Sequence, residues 1–193
     1  MKKITKTLLA FLFIGFISLS ANAQDLEGLL DSALSMQQKG DYDGLANALS
    51  GISTGLEKEA NENGGDFKDK MLSQVGGIKK LIPLASKGMV KQDPLQKLVS
   101  TVKLLLGANR LSNMLGGGGS LIGKAAGLKS SLGLLSAGSS VLGGGQADKL
   151  GGLISGAMGN VNKLEGNSMA AKAAEPALKN QLGGILGMVK GAL

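Results

Sequence analysis

The chain reads as an all-α protein, a bundle of short amphipathic helices with a glycine-rich C-terminal half. Apolar residues recur every three or four positions through most of the sequence after Gln24. Helix caps and turn formers interrupt that pattern at helix-length intervals. No apolar–polar alternation of period two runs long enough for a strand.

The first helix is expected where Leu26, Leu29, Leu30, Ala33 and Leu34 fall on one face, with Gly40 closing it. Asp41 or Asp43 then caps a second helix carrying Leu45, Ala48, Leu49, Ile52 and Leu56. Asn61 to Gly65 is a polar loop, after which Asp66 is the expected cap of a third helix with Phe67, Met71, Val75 and Ile78. Gly76-Gly77 and Pro83 should kink or break that helix. Asp93-Pro94 signals a fourth start, an N-cap followed by proline at the first helical position. Leu95, Leu98, Val99, Val102, Leu105 and Leu106 form its stripe.

Gly116 to Gly119 reads as a hinge dividing a helical region (24–115) from a glycine-rich helical region (116–193), the two forming one domain. Of the 32 glycines, 21 lie from Thr101 onward. Leu115, Leu150 and Leu182 each head a Leu-Gly-Gly stretch, the trace of degenerate helical units. Leu150, Leu153, Ile154, Ala157, Val161 and Leu164 make one stripe. Leu178, Leu182, Ile185, Val189 and Leu193 make another, entered through Glu175-Pro176.

The first 23 residues have the form of a secretory leader. Lys2, Lys3 and Lys6 precede an apolar run from Leu8 to Leu19, and Ala21-Asn22-Ala23 offers small residues for cleavage after Ala23. Export to the periplasm or the medium follows. With no cysteine anywhere, neither disulfides nor lipid attachment are available to such a protein. The leader holds three of the four phenylalanines, so Phe67 and Tyr42 are the aromatics left after cleavage. Basic residues in the C-terminal half are widely spaced (Lys124, Lys129, Lys149, Lys163, Lys172, Lys179, Lys190) and lack aromatic companions. Nucleic acid is therefore not an expected partner.

Glycines four apart are the second informative pattern. Gly119, Gly123 and Gly127, then Gly152 and Gly156, then Gly183, Gly187 and Gly191 would line single helix faces and admit another backbone. Each glycine inside a helix costs roughly 0.5–1 kcal/mol relative to alanine. Close packing inside the chain, self-association or a protein partner would offset that cost. These eight glycines are the candidate helix-packing interface. Contact with a membrane surface through the cationic C-terminal half is the alternative. A span is not expected: Ser130 to Ala147 is free of charge, but five of its residues are serine.

Chemical motifs are few and incomplete. Histidine is absent, which removes the general base that Gly51-Ile52-Ser53-Thr54-Gly55 would need as a nucleophile elbow. Ser53 is expected on a helix surface instead. Gly118 to Lys124 approaches a phosphate loop, but Ala125 stands where a hydroxyl should hold magnesium and no strand precedes it. Ser100 and Lys103 match a Ser-x-x-Lys pair without its companion motifs. Asn61, Glu62, Asn63, Asp66 and Asp69 are rich in oxygen but lack calcium-loop spacing. The scattered methionines suit gap-filling in a core. The expectation is an exported, non-enzymatic protein without cofactor or metal, acting through helix–helix contact.

Overall fold

The computed structural model describes residues 23–165 and 169–193. The expected leader, apart from Ala23, lies outside them. The described residues form an all-α bundle: α1 (Ala23–Lys39), α2 (Tyr42–Asn63), α3 (Lys68–Ala85), α4 (Gln92–Gly116), α5 (Ala125–Gly138), α6 (Gly144–Lys163) and α7 (Met169–Ala192). Short 3₁₀ turns at Gly65–Phe67 and Ser139–Val141 complete it, with no strand among the described residues.

Each helix packs on the next in sequence, and α4 also meets α1 and α7. A single cluster of buried side chains runs from Leu26 to Val189. At the centre of α4, every residue from Leu104 to Asn109 is buried. A helix enclosed on all sides is apolar all round. That explains the unbroken Leu104-Leu105-Leu106-Gly107-Ala108 run.

Local starts and stops differ from expectation at five places, the first being the expected loop from Asn61 to Gly65: α2 runs through Asn63 and a 3₁₀ turn starts at Gly65. Asp41 does cap α2, accepting the Gly44 amide at 2.9 Å, and Gly40 turns the chain at φ +71°. Asp66 does not cap α3; the N-cap is Phe67, whose side chain is fully buried, and Asp66 pairs with Lys190 instead. The stripe of Met71, Val75 and Ile78 keeps α3 continuous through Gly76-Gly77. Pro83, two residues before its end, forfeits the one bond its amide would have made to the Lys79 carbonyl, and the helix still runs to Ala85. Helix α4 starts one residue before Asp93, which joins the first turn rather than capping it. Helix α7 starts at Met169, upstream of Glu175-Pro176, because Ala171 and Ala174 extend its buried face and outweigh the bond forfeited at the internal proline.

Candidate functional site

Glycines in this fold divide into those that admit a neighbour and those that face open space. On α2, Gly51 and Gly55 lie one turn apart. A Cβ at Gly51 would stand 3.1 Å from Leu29 Cδ1, and one at Gly55 would stand 3.1 Å from Leu26 Cδ1. The two bare positions thus receive the leucines of α1. A pattern shaped like a catalytic elbow is a helix-packing groove, and Ser53 between its glycines is buried, not exposed. The Ser53 hydroxyl has no hydrogen-bond partner among the described residues.

The closest approach is between α4 and α5. A Cβ on Gly107 would meet the Ser131 carbonyl oxygen at 2.8 Å and Leu135 Cγ at 2.9 Å. One on Gly138 would meet the Ser100 carbonyl oxygen and the Leu104 amide nitrogen, each at 2.6 Å. Each helix offers a glycine to the other's backbone, an antiparallel small-residue crossing. Neither glycine belongs to a four-residue series. For Gly107 the available signal was its place in an unbroken apolar run; Gly138, among serines, carried none.

The eight candidate glycines behave differently. Gly119 and Gly123 lie in the turn between α4 and α5, Gly123 at φ +85°, so they share no helix face with Gly127. Position 123 needs the left-handed backbone that glycine tolerates. Gly127 approaches only the Met114 sulfur, at 3.4 Å, and Gly156 only the amide of Gln181, at 3.1 Å. Among the described residues, a Cβ on Gly152, Gly183, Gly187 or Gly191 would meet nothing within 4 Å, and the same holds for Gly151, Gly159 and Gly184 beside them. All seven are exposed. The opposite faces of α6 and α7 bury Leu150, Ile154, Ala157 and Val161, and Leu178, Leu182, Ile185 and Val189. Their apolar stripes thus serve the core, and their outward faces set glycines among exposed polar side chains such as Lys149, Ser155, Lys172, Lys179 and Lys190.

Polar contacts hold α7 at both ends. Glu175 accepts the Ser120 hydroxyl and the Leu121 amide, each at 2.9 Å, and pairs with Lys179. These donors lower its pKa to about 2, the Lys179 hydrogen bond contributing most. The near-phosphate-loop segment is therefore a turn closed on a carboxylate of its own chain. At the other end Lys190 pairs with Asp66 and lies 5.7 Å from the Phe67 ring centroid, while Lys70 Nζ donates to the Lys190 carbonyl at 3.1 Å. Lys190 holds the Asp66 carboxyl below the usual carboxylate range, chiefly by hydrogen bonding.

Ser100 and Lys103 do not meet. Ser140 Oγ donates to Ser100 Oγ at 3.3 Å, and Lys103 pairs with Asp31 of α1. One α4 turn pair further on, Arg110 reaches Glu27, so two α4 cations engage two α1 acids. In the oxygen-rich segment, Asn63 donates to Glu59 and its carbonyl accepts from Asn113. No group of three or more acidic side chains is placed to hold a metal ion among the described residues. Met71 fills the core as expected, whereas Met89 and Met169 are exposed. No helix is long and apolar enough to cross a membrane among the described residues. No protein-family model matches the chain, and comparison with curated proteins and solved structures finds no similar protein.

Proposed function

We propose that this chain is an exported, non-enzymatic helical protein that acts through helix–helix contact, and that it assembles with itself through the outward faces of α6 and α7. One observation carries this reading: Gly183, Gly187 and Gly191 recur at helix-face spacing, and a Cβ on any of them would meet nothing within 4 Å among the described residues. Inside the bundle, glycines at Gly51, Gly55, Gly107 and Gly138 all receive a neighbour. Apart from Gly156, which meets Gln181, the exposed α6 and α7 glycines carry the same helical penalty with no contact from the described residues to offset it. A second helix laid along that face would supply the contact. The partner interactions of Ser100 and Lys103 with Ser140 and Asp31 favour a structural use of both residues.

Light scattering on the exported form tests the assembly. Gly152→Leu and Gly187→Leu leave the monomer fold intact, since both positions open to space. The expected result is an oligomer for the parent chain and a smaller mass for the variants. A monomer throughout, or an oligomer indifferent to both substitutions, would count against the assembly.

A further inference from the structure

Five large apolar side chains are exposed among the described residues, and three of them meet at one corner of the bundle. Met89 is 62% exposed, Tyr42 45% and Leu84 37%; the other two, Met169 and Leu193, sit apart at the ends of the α7 segment. The corner is built, not frayed. Gly88, at φ +66°, donates its amide to the Ala85 carbonyl at 2.8 Å, and the Met89 amide donates to the Leu84 carbonyl at 2.9 Å. This is the Schellman arrangement, which brings the residues at positions 84 and 89 together. The Tyr42 ring covers Gly88 so closely that a Cβ there would stand 2.9 Å from it. Val90 then turns into the core, and Gln37 of α1 donates to its carbonyl at 2.9 Å.

The lysines around this corner outnumber the acids four to three. From Lys80 to Lys91 there is no acidic residue, and Lys80, Lys87 and Lys91 are joined across the α1–α2 turn by Lys39. None of the four enters an ion pair among the described residues. The facing acids are Asp41, Asp43 and Asp93. Asp41 is engaged by the Gly44 amide, and Asp43 and Asp93 lie in the first turns of α2 and α4, where the helix dipole offsets their charge.

We infer that this corner docks the protein onto an anionic lipid surface. Met89, Leu84 and the Tyr42 ring enter the headgroup boundary, with the lysines holding their ammonium groups among lipid phosphates. Three side chains fall well short of the roughly 800 Å² per partner that a stable protein interface buries, whereas lysine attraction adds per residue on a charged membrane. The docking site is in the N-terminal half, away from the α6–α7 glycines, and stands whether or not the chain assembles.

The chain contains one tyrosine and no tryptophan, so its tyrosine emission reports on this corner alone. The exported form is mixed with vesicles of phosphatidylglycerol and phosphatidylcholine, or of phosphatidylcholine alone. The expected outcome is co-sedimentation with the anionic vesicles at low salt, release at high salt, and quenching of Tyr42 by brominated lipid. Lys87→Gln with Lys91→Gln should lower partitioning roughly thirtyfold. Met89→Gln should lower it several-fold, and Lys149→Gln with Lys172→Gln should leave it unchanged. Absence of pelleting at low salt, pelleting without quenching, or pelleting lost in the Lys149/Lys172 variant and kept in the corner variants would overturn the proposal.

Discussion

Gly138 of α5 lies against the backbone of Leu104 in α4, so that a methyl group at position 138 would stand 2.6 Å from the Leu104 amide nitrogen. The neighbour is main chain and has no rotamer to change. Gly138→Ala must therefore push the two helices apart, and a loss of about 1–3 kcal/mol is expected. Urea unfolding followed by circular dichroism measures it; a stability equal to the parent chain would refute the close crossing.

The opposite sign is expected at Gly184. It lies within α7, where a Cβ would meet nothing within 4 Å among the described residues, so Gly184→Ala meets no obstruction and relieves the helical glycine penalty. A gain of roughly 0.5–1 kcal/mol should appear in the same unfolding measurement. A destabilised Gly184→Ala monomer would mean that the face is not open.

Ser53 is 3% exposed and its hydroxyl has no partner among the described residues. Burying an unpaired hydroxyl costs about 1–3 kcal/mol on the mutational scale. Ser53→Ala should thus raise the thermal midpoint. A fall in the midpoint would reveal a hydrogen bond that the hydroxyl makes.

The pH dependence of stability follows from Glu175. Its folded pKa, about 2, lies below the ordinary value of 4.5, so the folded form holds the proton less readily. Its contribution is present above pH 4.5 and is lost as the pH falls through the folded value. Asp66, lowered from 3.8 by Lys190, acts in the same direction. Titrating the unfolding free energy from neutral to acid pH in Glu175→Gln and the parent chain checks this. The variant should show a shallower acid-side decline, and identical slopes would show that Glu175 plays no part.

Much of the bundle was legible because it rests on local rules. The stripe from Leu26 to Leu34 and that from Leu95 to Leu106 each became a buried helix face, and Asp41 capped as its residue type suggests. What was not legible depends on tertiary contact. Whether Gly187 faces a helix or open space is set by the neighbours that the fold supplies, and a four-residue spacing is the same in both cases. Gly51 and Gly55 took leucines from α1, a relation between segments that periodicity in one segment does not encode. Asp66 lost its expected capping role to Lys190, which lies far along the chain. The exposed corner at Met89 was hidden for a similar reason, since methionine in sequence looks like core filling wherever it occurs.

Because each helix packs on the next in sequence, most contacts close short loops, the topology that folds fastest, within microseconds to milliseconds. The α1–α2 hairpin, with only a two-residue turn, is complete once Asn63 has been synthesised. Passage through a narrow translocation pore requires an extended chain. The proposed export route therefore sets a kinetic race between translocation and the early collapse of this hairpin. The helical glycines lower the intrinsic helix stability of α6 and α7, which pack on each other and on α4 and α5 rather than on this hairpin, so the race is set by the N-terminal helices.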